Sequence, residues 1–303
     1  MNHKKAVVTG GAGFIGSNLV ARLIADGWET HIIDRDPAYR RATLSKEALL
    51  HEIDIRDTEA QTVIMENADV VFHLAAVPRV TYCYEHPTET TDENVTGTVS
   101  VLQAAARAKV RRLVFSSSGA AYGTQKSLPF KEDMVSNPMH PYGLQKLMGE
   151  QFAKMFSSLY GLESVCLRYA NVYGPGLDPN GAYALAIGKF LEARKNGTPI
   201  TIFGDGTITR DFVHVYDVVE ANLKAAQVAG IGRGELFNIS TNRQVNIKYL
   251  ADLFGGEIVY GPPRVEDHDS VADNGKAKTL LGWSPTITLE DGIAALKKDY
   301  GIA

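Results

Sequence analysis

The chain is poor in cysteine, with two, Cys83 and Cys166, in 303 residues. They lie far apart without metal-ligand spacing, so neither a disulfide framework nor a zinc knuckle is encoded, and a reducing compartment, the cytoplasm, is expected. Positive charge is not in excess. Thirty-one basic against 35 acidic residues give −4, which leaves no overall basic field for nucleic acid or an anionic membrane. No apolar run approaches the ~20 residues that a bilayer crossing needs, and Met1 to Lys5 leads straight into a strand-like segment, so a soluble protein is expected. There is no repeat and no low-complexity tract, and the eight histidines show no metal spacing. What remains is a chain 45% apolar and 22% charged, enough for one large domain or two modest ones.

Lys4 to Thr9 is a short β-branched run that stops at Gly10-Gly11-Ala12-Gly13, after which Ile15, Leu19, Leu23 and Ile24 recur at helical spacing. Further strands are expected at Glu29–Asp34, Ala48–Ile55, Asp69–Leu74, Arg112–Ser116 and Ser164–Arg168. Helices are expected at Thr58–Glu66, Asp92–Ala108 and Pro141–Tyr160. This alternation predicts an α/β fold, a doubly wound parallel sheet covered on both faces. Beyond Asn171 the rhythm changes. A loop rich in Gly, Pro and Asn (Tyr173 to Gly181) precedes a helix at Tyr183–Lys195, a strand at Pro199–Phe203, a helix at Val215–Ala229 and a C-terminal helix at Leu289–Tyr300. The expected division is a larger domain over 1–171, with returning segments near 205–240, and a smaller α/β substrate lobe over 172–303.

Gly10, Gly13 and Gly16 form G-x-x-G-x-x-G between the first strand and first helix. Glycine lets the backbone approach a pyrophosphate, and the helix start offers N–H groups and partial positive charge. Asp34 follows Gly16 by 18 residues at the end of the second strand, where a carboxylate can bond an adenosine ribose. The same carboxylate repels a 2′-phosphate and favours NAD over NADP, although Arg35 beside it pulls the other way. Asp54 either reaches adenine or caps its strand.

Tyr142 and Lys146 are spaced i, i+4 on one helix and share a face. Ser116-Ser117-Ser118 ends the fifth strand, where open α/β sheets build their sites. Taking a proton from a sugar hydroxyl near neutral pH needs a phenolate, and lowering a tyrosine by three units from ~10 requires ~4 kcal/mol. One ammonium ~4 Å away at an effective dielectric of ~20 supplies about that much. Ser118 can bond the reacting oxygen and orient it.

Together these segments resemble the extended short-chain dehydrogenase/reductase family, in particular its nucleotide-sugar epimerases of the UDP-glucose 4-epimerase type. The marks run along the whole chain: Val8 to Gly16, His73-Leu74-Ala75-Ala76, Asn94-Val95-Thr96-Gly97-Thr98, Phe115 to Ser118 with Tyr122-Gly123, Pro141 to Lys146, Leu167 to Pro175, Thr209 to Val213, and Ala272-Asp273 with Leu281-Gly282-Trp283. The resemblance implies a Rossmann-like fold that holds NAD, with Tyr142 as base, Lys146 on the nicotinamide ribose and Ser118 assisting. The implied cofactor residues are Gly10, Gly13, Phe14, Ile15, Gly16, Asp34, Arg35, Asp54, Ile55, Leu74, Ala75, Ala76, Asn94, Ser116, Tyr142, Lys146 and Tyr169. Those implied for substrate are Arg79, Ser118, Tyr142, Asn171, Thr201, Phe203, Arg210, Val245, Arg264 and Asp267. Guanidinium groups such as Arg210 and Arg264 grip phosphates bidentately.

Dehydratases and decarboxylases of this type carry an acid between the serine and the Tyr-Gly. Here that stretch is Gly119-Ala120-Ala121, and eliminating water needs an extra acid or base. The expected reaction is therefore 4-epimerisation of a UDP-sugar, UDP-glucose to UDP-galactose. Ser270 stands where a bulky aromatic limits the pocket of some relatives, which opens the site to UDP-GlcNAc. The alternatives are a 4,6-dehydratase, a UDP-glucuronate epimerase or decarboxylase (with Arg79 on the carboxylate), and a non-catalytic dinucleotide sensor. One departure is that the stretch from Arg264 to Asp273, which begins Arg264-Val265-Glu266-Asp267, runs a residue shorter than in such relatives. The resemblance also implies a homodimer through Asp92–Ala108 and Pro141–Tyr160, with Val95, Val99, Leu102 and Ala106 as candidate contacts.

Overall fold

The computed structural model describes residues 4–35, 44–179, 186–263 and 268–302. Strands β1 (Lys5–Thr9), β2 (Glu29–Ile33), β3 (Leu49–His51), β4 (Val70–His73), β5 (Arg112–Ser118) and β6 (Glu163–Tyr169), with the strand Arg233–Ile239, form one seven-stranded sheet. Its order is Arg233–Ile239, β6, β5, β4, β1, β2, β3. β1 runs parallel to β2 and β4, β2 to β3, and β4 to β5. β1 and β4 are apolar and buried along almost their whole length, as expected where helices cover both faces of a sheet. Strand order reverses between β1 and β4, and such a switch opens a crevice beyond the carboxyl ends of the strands. The sheet is the Rossmann-like, doubly wound one expected.

Some elements differ from expectation. The third strand is three residues long instead of spanning Ala48–Ile55, because the chain turns back on itself: Ile53 N donates to His51 O and Asp57 N to Asp54 O. The helix expected over Asp92–Ala108 opens with a π-helical turn, Asp92–Thr96, and is α-helical over Gly97–Arg107. The strand Arg233–Ile239, the short helices Val80–Glu85 and Pro87–Thr91, and the helix Ile247–Phe254 were not singled out in the sequence. The helix expected from Tyr183 runs over Ala186–Lys195, its expected start lying outside the described residues.

The chain divides into two compact units. One comprises the residues up to Thr124 with Met134–Arg168 and Val219–Phe237, and the other Gln125–Asp133, Tyr169–Val218 and the residues from Asn238 onward. The first holds a core in which Val7, Val71, Val101, Leu102, Leu113, Phe115, Phe156 and Cys166 pack together. Burying each large apolar side chain contributes ~1.5–3 kcal/mol. Among the described residues no helix is long and apolar enough to cross a membrane.

The second unit is built from two-stranded pairings. Asn171–Tyr173 runs parallel to Phe212–His214, Ile200–Phe203 parallel to Ile258–Gly261, and Thr209–Arg210 antiparallel to Val245–Asn246. Two-stranded sheets bury little by themselves; Leu191, Ile200, Ile202, Leu250, Phe254 and Leu296 supply buried apolar side chains in this unit, and polar latches add to them. Trp283 is fully buried and donates Nε1–H to Asp217 O at 2.8 Å. The Asp217 carboxylate accepts from Thr286 N, Thr286 Oγ1 and Ile287 N at 2.8 to 3.1 Å. Asp217→Ala leaves those donors unpaired, so we expect a loss of about 2–4 kcal/mol, read as a lower urea midpoint. An unchanged midpoint would show that the latch contributes nothing.

Candidate active site

The glycine turn is shaped by close contact. Gly10 has φ 68° and donates its N–H to Ile33 O at 2.8 Å, and a Cβ there would lie 2.7 Å from Ala75 N. A Cβ on Gly16 would overlap the Gly10 carbonyl oxygen. Glycine is required at both positions for the turn to fold between β1 and the first helix, Phe14–Ala25. That helix begins on Gly13 with no side-chain cap, and Phe14 and Ile15 in its first turn are half-buried. An uncapped helix start behind a turn with glycine at 10, 11 and 13 is a cradle that fits a pyrophosphate. Asp34 Oδ2 accepts from Ala12 N at 3.1 Å, so the acid is held at the turn itself.

Arg35 is committed elsewhere. Its guanidinium makes a bidentate pair with Glu93 at 2.6 and 2.8 Å, which draws it away from service to a 2′-phosphate. Asp54 accepts from the backbone and side chain of Arg56, which also pairs with Asp92, and these bonds hold the Asp54 carboxyl below its ordinary range. Its carboxylate therefore serves the turn after β3. Ile55 packs against the core, and its carbonyl accepts from Gln61.

Ser118, Tyr142 and Lys146 come together at the end of β5. The helix Pro141–Tyr160 lies against that strand, and glycines set how close it comes. A Cβ on Gly143 would sit 2.5 Å from Ala120 O, and one on Gly149 would overlap the Phe115 ring. Lys146 is buried and donates to Ser116 O at 2.8 Å, with Nζ 5.9 Å from the Tyr142 ring centre and 5.0 Å from that of Phe115. Burial pushes its ammonium down to about 8, while the Glu150 charge pulls the other way. At 5.9 Å and an effective dielectric of ~20, attraction between the ammonium and a phenolate at that ring is about 3 kcal/mol. That is most of the ~4 kcal/mol needed for a three-unit fall. Ser118 Oγ accepts from Ala120 N at 3.2 Å, capping the turn Gly119–Ala121, and a hydroxyl that accepts one bond still has its hydrogen to donate.

Several neighbours support this trio, among them Asn94, which the sequence reading gave to the cofactor, and Glu150, which it missed. Asn94 uses both ends of its amide on Val77, accepting from Val77 N at 2.7 Å and donating to Val77 O at 3.1 Å, and it also donates to Gln145 Oε1 at 2.7 Å. Gln145 in turn donates to Thr90 and Thr91. Asn94 therefore ties the segment after β4, Leu74 to Val77, to the helix of Tyr142. Beneath them Glu150 takes a bidentate pair from buried Arg168 and a bond from Ser117. A polar residue four positions past Lys146 on the buried face was the available signal for Glu150.

His73, fully buried, has a tautomer fixed by its partners. Thr98 donates to Asn94 O at 2.6 Å, so it accepts from His73 Nε2, and Nδ1 accepts from Thr9 Oγ1 at 2.7 Å. Burial, aided by the Lys146 charge, pushes His73 down to about 3. The unfolded chain then binds a proton that the folded chain refuses. Stability is complete above the ordinary ~6.5 and falls by ~1.4 kcal/mol per pH unit below it, as far as about pH 3. Burial lowers His51 and His214 in the same sense. In urea titrations at pH 6.5 and 4.5, His73→Gln should lose about 2–3 kcal/mol less than wild type. Equal losses would rule the buried neutral imidazole out as an acid-sensitive element.

Of the remaining expected positions, Arg79 is exposed and donates to Thr81 Oγ1 at 3.3 Å, and Leu74, Ala75 and Ala76 are half-buried after β4. In the second unit Tyr169 is buried, Arg210 and Val245 face each other across one strand pair, and Thr201 and Phe203 share the exposed face of another. Asn171 donates its amide to Asp211 O at 2.9 Å. The Asp211 carboxylate is buried in the turn at Thr241 and Asn242, where it accepts from both backbone N–H groups. Arg210 donates to the carbonyls of Thr209 and His268. Arg264 and Asp267 lie outside the described residues.

Residues 6–240 match the model of the NAD dependent epimerase/dehydratase family. The chain is 39% identical to a putative UDP-glucose 4-epimerase of Methanocaldococcus jannaschii, over 95% of each chain. It superposes on the Thermotoga maritima UDP-glucose 4-epimerase, solved with UDP-glucose, with a TM-score of 0.92 at 38% identity over 98% of each chain. A UDP-glucuronic acid 4-epimerase of Bacillus cereus, solved with UDP-glucuronic acid and NAD, gives 0.87 at 30% identity over 98% of each. With its glycine cradle, its Tyr142 and Lys146 helix and matches of this extent, the chain belongs to the NAD dependent epimerase/dehydratase family.

Proposed function

We propose that this enzyme is an NAD-dependent 4-epimerase of a UDP-hexose, UDP-glucose and UDP-galactose being the first pair. The observation that carries the reaction is the grouping of Ser118, Tyr142 and Lys146 beside a turn, Gly119–Ala121, that holds no acid or base. Elimination needs a further proton donor at that place. Oxidation and re-reduction at one carbon does not.

In this reading Gly10, Gly13, Gly16 and Asp34 hold the dinucleotide, with Leu74 to Ala76, Ser116 and Tyr169 lining it. NAD, when bound, supplies the acceptor that takes hydride from the sugar C4 and gives it back. Tyr142 withdraws the proton of the C4 hydroxyl and returns it to that oxygen once the centre is inverted. Lys146, fixed on Ser116 O, provides the fixed charge that favours the phenolate, and Ser118 donates to the reacting oxygen and orients it. The small side chains of the Gly119–Ala121 turn make few polar contacts, which suits a sugar that must present both faces. The second unit is read as the substrate lobe, with Asn171, Thr201, Phe203, Arg210 and Val245 on the nucleotide diphosphate.

Tyr142→Phe should lower kcat for UDP-glucose to UDP-galactose conversion by at least ~100-fold while bound NAD is retained. Turnover near the wild-type rate, or a 4-keto-6-deoxy product from the wild type, would overturn the reading. UDP-GlcNAc and UDP-glucuronate in the same assay set the sugar range. Exposed Arg79 suits a carboxylate, and small Ser270 suits an acetamido group.

The reading includes a homodimer and a cytoplasmic setting, the latter suited to two buried free thiols. On the helix Pro141–Tyr160, Leu144, Met148, Met155 and Leu159 are 37–67% exposed and fall at steps of four, seven and four, a seam of coiled-coil type. The contact set expected on the neighbouring helix changes. Val95 and Leu102 face the core, which leaves Val99 and Ala106 half-buried. Light scattering should give a dimer mass for wild type and a monomer mass for Met155→Glu/Leu159→Glu. A monomeric wild type removes the dimer from this proposal.

A further inference from the structure

Helix starts are commonly capped by a small oxygen-bearing side chain. The helix that carries Tyr142 and Lys146 starts differently. Its cap is His140, with extended backbone (φ −148°, ψ 159°), whose Nδ1 accepts from Gly143 N at 3.1 Å. Pro141 follows at the first helical position, where a missing N–H costs nothing. The imidazole lies parallel to the Tyr142 ring, 8° between planes and 6.3 Å between centres, and Tyr84 packs on it at 6.3 Å. Tyr84 in turn donates to Met139 O at 3.2 Å, which fixes the residue just before the cap.

We propose that His140 is a positioning residue for the reaction, its neutral imidazole holding Gly143 against the Ser118 turn and so fixing Tyr142 in register with Ser118. The chain of contacts is continuous. Ser118 Oγ holds Ala120 N, the Ala120 carbonyl meets Gly143 at a distance that admits no Cβ, and the Gly143 N–H is taken by His140. Tyr142 lies between the two residues that this bond joins. Unlike a serine or asparagine oxygen, an imidazole accepts only while Nδ1 carries no proton. An imidazolium has no acceptor, and it places a positive charge at the positive end of the helix dipole. The register of Tyr142 therefore becomes proton-dependent. The titratable groups facing the ring include Tyr84 from the helix Val80–Glu85 and Tyr142 on its own helix, with Lys146 beyond Tyr142.

The inference rests on Tyr142 as the base. It is tested with the full chain as His140→Ala, His140→Asn and His140→Ser, on a UDP-hexose that the wild type converts, between about pH 5 and 9. His140→Ala should lower kcat about 3–10-fold with KM changed less than about twofold, and His140→Asn should restore kcat to within about twofold. On the acid side the wild type should lose kcat more steeply than His140→Asn. Nitrogen NMR of labelled histidine should show Nδ1 of His140 as an unprotonated acceptor at neutral pH. Full kcat in His140→Ala, an asparagine variant as impaired as the alanine one, matching acid limbs, or a protonated Nδ1 would each overturn the proposal. If the wild type converts no UDP-hexose, the reading of the reaction fails, and the nitrogen signal by itself then decides the cap.

Discussion

The site depends on how closely one helix lies on one strand. Pro141–Tyr160 approaches β5 at distances that Gly143 and Gly149 alone permit, and this proximity lets Lys146 reach the Ser116 carbonyl from inside the protein. A Cβ at Gly143 would press on the Ala120 carbonyl and one at Gly149 on the Phe115 ring, so either contact would have to give. Tyr142, Lys146 and Ser118 are thus placed by backbone-to-backbone packing, which does not fluctuate as surface side chains do.

That packing brings charge out of water, and the fold compensates locally. Lys146, Glu150 and Arg168 are all buried, and Glu150 accepts from Arg168 twice and from Ser117. A buried ion pair of this kind adds little net stability, while removing one partner is strongly destabilising. The arrangement makes sense as a fixed field rather than as reinforcement. Glu150 opposes the desolvation that drives the Lys146 ammonium down, and Arg168 pairs with Glu150 at 2.6 Å. Asn94 and Gln145 carry the same logic to the switch between β4 and β1, where a neutral amide pair joins the helix to the segment after His73.

Charge also separates the two nicotinamide dinucleotides. Asp34 is retained at the glycine turn through Ala12 N, and Arg35, a basic residue beside it suited to an added phosphate, is locked by two short bonds to Glu93. A guanidinium already paired bidentately has little left to offer a second anion. Arg35 was the ambiguous residue in the sequence, and a partner 58 positions away resolves it.

Much was legible in the sequence because it depends on local rules. Period-two and period-3.6 patterns marked the parallel strands and their helices, glycines marked the turn after β1, and the i, i+4 spacing put Tyr142 and Lys146 on one face. Other features follow from long-range contact and leave no local trace. Val95 and Leu102 face inward on a helix whose apolar stripe reads the same from either side, and Arg168 reaches Glu150 from 18 positions away. The cap on the Tyr142 helix spans only three residues, yet it was not read from the sequence, because histidine is rarely taken as a helix-start residue. By itself the sequence determined which residues are available and which elements carry them, because backbone propensity and side-chain period are properties of neighbours in the chain. Tertiary structure alone decided which polar groups are already engaged, because a hydrogen bond or ion pair is settled by partners that meet only when distant segments pack.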